Sequence, residues 1–122
     1  MKHVIYVDAG FSNGKGRLAC YDETTGKAHY KASECKDSFR CEYEAILYAL
    51  DRVKDAVGGD ELEVRIDNEV VVKQLNHESG INEEDVRKRA LKVWEWCRKK
   101  ENKVTFVRVP RKENKAGKIL GS

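Results

Sequence analysis

The sequence lacks most of the features that mark membrane-spanning, secreted or zinc-binding proteins. It has a single proline, and no apolar run approaches the ~18 to 20 residues that a membrane helix needs. The N-terminal residues contain no apolar segment of the secretory-signal type. The four cysteines include no Cys-x-x-Cys pair, and the three histidines are scattered. These absences predict a soluble protein of the reducing cytoplasm, with neither a zinc site nor a disulfide framework.

The length and composition are those of one modest domain. The chain has 122 residues, of which 37% are charged and 40% hydrophobic, enough to bury a real core. Residues 1–120 are expected to form a single domain without repeats or linkers. Residues 121–122, Gly-Ser, are interpreted as a cloning remnant.

Positive charge is concentrated in one late segment. The net charge is +3, but residues 98–118 contain nine Lys and Arg against two Glu, which gives +7 there and −4 elsewhere. A basic segment on an otherwise acidic chain favours a polyanionic partner that docks on one preferred face. A lysine-rich surface that only contacts solvent is the simpler alternative.

The first part of the chain shows the pattern of extended strands separated by turns. Residues 4–7 are a compact β-prone run, and the Asn-Gly-Lys-Gly at 13–16 is a strong hairpin signal. Further strands are expected at about 17–21 and 28–35. Together these segments predict a three-stranded antiparallel meander.

Beyond residue 37 the apolar residues recur at helical spacing. A first helix is predicted from about 38 to 57, with Asp37 or Ser38 as its N-cap and Gly58-Gly59 at its end. The later elements expected are a strand at 62–66, a short helix at 69–76, a longer helix from about Asn82, and a strand at 104–109. This order predicts an α/β fold with one mixed five-stranded sheet, three antiparallel strands followed by parallel strands, covered by helices.

Three acidic residues occupy positions where apolar residues would be expected. Asp8 directly follows the run at 4–7, Glu42 continues the apolar stripe of the first helix, and Asp67 ends the strand at 62–66. The ends of these strands and the start of the helix can meet at one place, where three carboxylates repel unless cations neutralise them. Hard divalent cations such as Mg²⁺ or Mn²⁺ suit oxygen ligands, and paired ions of this kind promote phosphodiester hydrolysis.

Each acid also has a local structural interpretation. Asp8 would cap a turn, Glu42 would be a first-turn residue favoured by the helix dipole, and Asp67 would cap the following helix. The sequence pattern leaves these alternatives open, because only the joint placement of the three residues favours a shared site.

Four short motifs resemble those of the ribonuclease H type 1 family and follow the family's order. Residues 5–10, Ile-Tyr-Val-Asp-Ala-Gly, are similar to its strand that ends in Asp-Gly, and residues 41–46, Cys-Glu-Tyr-Glu-Ala-Ile, to its Ala-Glu-Tyr-x-Ala-Leu. Residues 66–71, Ile-Asp-Asn-Glu-Val-Val, resemble Thr-Asp-Ser-x-x-Val, and residues 109–114, Val-Pro-Arg-Lys-Glu-Asn, resemble Val-Pro-Arg-x-x-Asn. The chain resembles the compact archaeal and bacterial members, which lack a basic protrusion.

The resemblance implies a fold, a reaction and a set of site residues. It implies that Asp8, Glu42 and Asp67 bind two Mg²⁺ or Mn²⁺ ions, which activate water to cleave the RNA strand of an RNA/DNA hybrid. Such a hybrid is recognised by its backbone, 2′-hydroxyls and groove shape. A monomer without membrane contact is expected. The substrate-binding residues predicted on this basis are Arg111, Asn114, Ser38 and Asn68.

The chain departs from the family pattern at two places. After Asn114 the family continues x-x-Ala-Asp, whereas this chain has Lys-Ala-Gly-Lys, so the fourth acid is replaced by Lys118 or, with a one-residue deletion, by Gly117. Either change removes a ligand of the second metal ion, and a lysine there would repel it. At the start of the first helix, the family's Thr-Asn-Asn is replaced by Asp-Ser-Phe at 37–39.

Three functions follow from these observations. The leading hypothesis is an endoribonuclease for RNA/DNA hybrids, weak in Mg²⁺ and more active in Mn²⁺. The second is a binding module that keeps the fold and the hybrid-binding face but hydrolyses slowly or not at all. The third is another two-metal nucleic-acid enzyme on the same fold, or a detached domain of a larger polymerase-like system, since fold alone does not decide chemistry.

Overall fold

Five strands form one mixed sheet in the order β3-β2-β1-β4-β5 in the computed structural model, which describes residues 2–55, 57, 61–100 and 102–121. The pairs β1–β2 and β2–β3 are antiparallel, and the pairs β1–β4 and β4–β5 are parallel. The predicted fold class, a meander followed by parallel strands with helices over the sheet, is confirmed. The strands and helices are β1 Lys2–Ser12, β2 Lys15–Asp22, β3 Lys27–Ser33, α1 Ser38–Val53, β4 Glu61–Ile66, α2 Glu69–Leu75, α3 Glu84–Lys100, β5 Lys103–Arg108, a 3-10 turn Arg111–Glu113 and α4 Lys115–Ile119.

The first strand is longer than the run at 4–7 predicts. It continues to Ser12 because a two-residue turn, Asn13-Gly14, leads directly into β2, and Ser12 pairs with Lys15. Both turn residues have positive φ angles, 52° and 72°, as this tight hairpin requires. Asp8 therefore lies within an extended strand and caps no turn.

The other predicted boundaries differ by smaller amounts. The third strand ends at Ser33, and α3 begins at Glu84, two residues after the predicted capping residue Asn82. The short helix α4 was not predicted, because five residues carry too little hydrophobic pattern to mark a helix. The predicted end of the first helix at Gly58-Gly59 lies outside the described residues.

The main core lies between one sheet face and the three longer helices. Asp37 caps α1 by accepting a hydrogen bond from the Arg40 backbone N–H. The apolar stripe of α1 then packs on the apolar residues of β1 and β2. The members of this stripe that are fully or almost fully buried include Ala45, Ile46, Ala49 and Val53.

The opposite sheet face is covered by α4 alone among the described elements. Ala116 and Leu120 pack there against Val4, Tyr6 and Ala19. Gly121 follows α4 with a φ of 87°, a conformation that glycine adopts easily after a helix. The placement of α4 matters for the site, because it brings the segment after β5 back over β1.

The expectation of no disulfide is wrong at one position. Cys35 and Cys41 form a disulfide, with a Cα–Cα distance of 5.5 Å, across the connection between β3 and α1. Both residues are buried, and the backbone of Gly16 lies against both sulfur atoms. The sequence spacing of six residues gave no indication of this pair, because their proximity depends on how α1 starts beneath β2. Cys20 and Cys97 are free thiols.

None of the described helices combines the length with the apolar character that a membrane-spanning helix needs.

Candidate active site

Two neighbouring parallel strands bring two of the acids to one edge of the sheet. The parallel pairing of β1 with β4 ends at Val7 and Ile66, so the next residues, Asp8 and Asp67, leave the paired region side by side. Glu42 approaches the same point from the first turns of α1. One oxygen from each of the three carboxylates lies within 4.8 Å of the others. We call these three residues the acidic cluster.

Burial and mutual repulsion disfavour the charged forms of this cluster. Desolvation, followed by the charge of Asp67, raises the pKa of Asp8 to about 6. Desolvation, followed by the charges of Asp8 and Asp67, raises the pKa of Glu42 to about 8. The Arg111 guanidinium acts in the opposite direction on both groups, but with a smaller effect. The cluster thus has too much negative charge for its surroundings.

The donor atoms of the acidic cluster suit a hard divalent cation. The Oε2 atom of Glu42 is shielded from solvent and has no hydrogen-bond partner. A buried carboxylate oxygen without a partner is costly, and a cation between the three carboxylates would remove both this cost and their repulsion. Mg²⁺ and Mn²⁺ prefer such oxygen ligands. The residues present therefore fit one divalent ion.

Asn114 orients the acidic cluster from within the protein, and its contact with a substrate stays a prediction. Its side chain is buried, and its amide nitrogen donates to the Val7 carbonyl at 2.9 Å and to Asp67 Oδ2 at 3.0 Å. Its amide oxygen caps α4 by accepting from the Ala116 N–H at 3.0 Å. Every polar atom of the side chain is engaged within the protein. Asn114 thus fixes the direction of Asp67 and anchors α4.

The other predicted substrate-binding residues lie around the same edge. Asn68 is the N-cap of α2, and its side-chain oxygen accepts from the Val71 N–H. This gives Asn68 a structural role and excludes the alternative in which Asp67 caps the helix. Ser38 is the exposed first residue of α1, and Arg111 is the exposed first residue of the 3-10 turn. Contact of these residues with a substrate stays a prediction.

A cavity of about 330 Å³ opens beside Asp8 on the side covered by α4. Three of its side chains are exposed cations that make no ion pair within 4 Å among the described residues, whereas Asp8 is its only acid. We call it the cationic cavity. Its lining residues are Asp8, Arg111, Lys112, Asn114, Gly117 and Lys118.

The basic segment predicted at 98–118 does not form one docking face. Strand β5 runs through its middle, with Lys103 paired to the first residue of β4 and Arg108 paired to the last. The positive residues at 98–100 therefore lie near the end of the strands that is opposite the acidic cluster. The segment 108–118 reaches the acidic cluster itself. Only this second part is placed to contact a substrate at the candidate site.

A second group of carboxylates lies at the start of α1 and was not predicted. The guanidinium of Arg40 pairs with Asp37, with Glu83 and, through two hydrogen bonds, with Asp85. Hydrogen bonds from Arg40 lower the pKa of Asp85 to about 2, and the Arg40 backbone N–H lowers the pKa of Asp37. We call this group the Arg40 network. Glu83 and Asp85 lie more than 40 residues from Arg40 in sequence, so no local signal indicated the network.

Several solved structures share the fold of this chain. Ribonuclease H1 LC11, isolated from compost by a metagenomic approach, superposes with a TM-score of 0.84 at 23% identity, over 97% of this chain and 91% of that one. Ribonuclease H1 from the halophilic archaeon Halobacterium salinarum gives 0.80 at 21%, over 95% and 91%. The LC11 enzyme in complex with an RNA/DNA hybrid gives 0.75 at 23%, over 97% and 99%. The fold is that of ribonuclease H type 1, as the sequence motifs predicted.

The family follows from a sequence comparison. The family model described as "Reverse transcriptase-like" matches residues 16–121, most of the chain, and the protein belongs to this family. The match begins after Asp8 and includes Glu42 and Asp67. No curated protein sequence matches the chain.

Proposed function

We propose that this protein is an endoribonuclease that cleaves the RNA strand of RNA/DNA hybrids. The observation that carries the proposal is the acidic cluster, in which Asp8, Glu42 and Asp67 converge within 4.8 Å beside a cavity lined by cations. Three converging carboxylates suit a bound cation, and the positive side chains of the neighbouring cavity suit a bound anion. The likeness to a ribonuclease H1 that is solved with an RNA/DNA hybrid makes a hybrid the first substrate to test.

The three carboxylates would hold Mg²⁺ or Mn²⁺. A bound ion of this type lowers the pKa of water and neutralises charge on a phosphate that is being hydrolysed. Asn114 keeps Asp67 turned toward the other two carboxylates. Arg111 and Lys112, both exposed at the cavity, would bind phosphate oxygens of the substrate backbone. In the net reaction, a phosphodiester and water give a phosphomonoester and an alcohol.

The selectivity for a hybrid would come from backbone shape. The described residues near the acidic cluster include no aromatic side chain placed to stack on a base in the cationic cavity. Recognition through phosphates and 2′-hydroxyls is therefore the mode that fits this surface. A monomeric, cytoplasmic enzyme is part of the same proposal.

The test is cleavage of an end-labelled RNA/DNA hybrid in Mg²⁺ and separately in Mn²⁺. Wild type, Asp67→Asn and Glu69→Gln are purified in parallel, because Glu69 is an exposed acid near the site but outside the cluster. Cleavage by wild type and Glu69→Gln, with loss in Asp67→Asn, supports the proposal. Equal cleavage by all three proteins would point to a contaminating nuclease and remove the support.

A second candidate function is a hybrid-binding module with little or no hydrolysis. The observation that favours it is the charge of the cationic cavity, where three positive side chains surround the only acid, Asp8. Under this alternative the wild type binds the hybrid with an affinity that falls steeply as salt rises, and it cleaves in neither metal. Gel-shift titration at several salt concentrations, run beside the cleavage assay, separates the two functions.

A further inference from the structure

The residue four positions after Asn114 is placed at the candidate site by helix geometry. Asn114 is the N-cap of α4 and touches Asp67, and residues four apart lie on the same side of a helix. Lys118 therefore lies beside the cationic cavity. Its side chain is exposed and lines the cavity together with the buried Asp8. Its neighbour Gly117 is buried and provides no side chain. Residue 118 is thus the α4 side chain that faces the cavity.

The cationic cavity contains no ligand set for a second divalent ion. Among the described residues, the acidic cluster uses Asp8, Glu42 and Asp67, and Asp8 alone also lines the cavity. The amide of Asn114 is fully engaged, and Glu113 is exposed without lining the cavity. A second ion next to Asp8 would meet three positive side chains and would be repelled. A two-metal site therefore does not fit this chain.

The same cavity supplies fixed positive charge of another kind. Lys118, Lys112 and Arg111 make no ion pair within 4 Å among the described residues, so their charges are available to an incoming phosphate. An ammonium has three hydrogen-bond donors on a flexible stem and can follow a phosphate as its geometry changes. Positive charge aimed at oxygens that gain negative charge during hydrolysis is a strong source of rate acceleration.

We infer that this protein binds one divalent ion rather than two, and that the ammonium of Lys118 contacts the scissile phosphate where a second ion would otherwise act. Lys118 stays protonated throughout, donating hydrogen bonds to phosphate oxygens. Water adds to phosphorus and releases one proton to solvent, one P–O ester bond breaks, and the leaving oxygen takes up a proton from solvent. This inference rests on the proposed function for its reaction but not for its ion count.

The first experiment counts Mn²⁺ ions per chain by electron paramagnetic resonance. Wild type, Lys118→Asp and Lys118→Gln are titrated alone and with a hybrid whose RNA 2′-hydroxyls are replaced by fluorine, after verifying that this duplex stays intact. The inference predicts one ion for wild type and Lys118→Gln under both conditions, and a second ion for Lys118→Asp with the duplex. Two ions on the wild type would overturn it, whether or not the protein cleaves RNA.

The second experiment separates contact with the scissile phosphate from general attraction. Lys118→Gln is expected to lower kcat for the hybrid about a hundredfold with a small change in KM, because the charge acts in the transition state. Lys118→Arg should recover part of this loss. Lys112→Gln, which removes an exposed cation of the same cavity, should mainly raise KM. An unchanged kcat in Lys118→Gln would overturn the role of Lys118, while the absence of cleavage by wild type would overturn the proposed function instead.

Discussion

Two groups of three carboxylates lie in this small domain, and their surroundings differ. In the Arg40 network, one guanidinium pairs with all three acids, and the pKa values of Asp37 and Asp85 are lowered. In the acidic cluster no cationic side chain pairs with the carboxylates within 4 Å among the described residues, and burial with mutual repulsion raises the pKa values of Asp8 and Glu42. The first group carries its own cation, and the second requires one from outside.

The comparison shows how the same residue types serve structure or function. A carboxylate group that the chain itself pairs with a cation joins two helices, here the starts of α1 and α3. A group that the chain leaves uncompensated stores electrostatic repulsion, which a ligand can relieve. The Cys35–Cys41 disulfide links the two groups along the chain, because the loop that it closes contains Asp37 and Arg40, and Cys41 directly precedes Glu42.

The largest expected effect is a difference in hybrid cleavage between matched variants of the two carboxylate groups. Asp8→Asn should lower hybrid cleavage by about a thousandfold, because it removes a ligand of the ion that activates water. Asp85→Asn, the same chemical change in the Arg40 network, should leave kcat within a few-fold of wild type. Both rates are measured with the labelled hybrid. Comparable losses in the two variants would mean that the groups do not differ in function.

Removing the cation of the Arg40 network should lower the melting temperature more than removing another arginine of α1. Arg40→Met keeps part of the apolar stem but, among the described residues, leaves Asp37 and Glu83 without an ion-pair partner and Asp85 with Arg89 alone, so the melting temperature should fall by more than the loss of one surface ion pair produces. Arg52→Met, which removes an exposed arginine of α1 that pairs with Asp51, is the matched control. Thermal unfolding followed by circular dichroism measures both. Equal melting temperatures for the two variants would contradict a structural role for the network.

The disulfide should stabilise the connection between the two groups. Reduction of Cys35–Cys41 opens a short loop and is expected to lower the free energy of unfolding by about 2 kcal/mol. Urea unfolding with and without a reducing agent measures this change, and Cys35→Ser with Cys41→Ser controls for effects of the reagent on the free thiols. If the reagent destabilises the double variant as much as wild type, the effect comes from elsewhere.

A change in the acidic cluster should raise stability while it removes function. Without divalent ions, Glu42→Gln is expected to stabilise the fold by about 1 to 2 kcal/mol near pH 8, because it removes a buried, unpartnered charge. The folded-state pKa of Glu42, about 8, lies above its usual value of 4.5, so the wild type loses stability as pH rises between them. The gain should therefore shrink toward pH 5. A destabilised variant at pH 8 in chelator would contradict the repulsion.

The sequence predicted the sheet and the acidic cluster because both leave local signals. Alternating apolar residues indicated the strands, and acids in apolar runs indicated Asp8, Glu42 and Asp67. The role of Asn114 was not predictable in this way, because its burial depends on α4 folding back over β1. The same holds for the Arg40 network, whose partners meet only after α3 packs beside α1.

The basic segment illustrates a further limit of local sequence patterns. Charge counted along the chain predicted one face, but β5 separates the positive residues at 98–100 from those at 108–118. A strand of six residues spans about 20 Å, which is enough to place the two parts at opposite ends of the strands. Charge therefore predicted a polyanionic partner without identifying which lysines would meet it.

The most direct test of the difference between the two groups is the change in melting temperature that Mn²⁺ produces. It is measured for wild type, Glu42→Gln and Glu83→Gln, the last two being the same substitution in the acidic cluster and in the Arg40 network. We expect Mn²⁺ to raise the melting temperature of wild type and Glu83→Gln and to have little effect on Glu42→Gln. Equal stabilisation of all three proteins, or none of the wild type, would contradict a divalent-ion site at Asp8, Glu42 and Asp67.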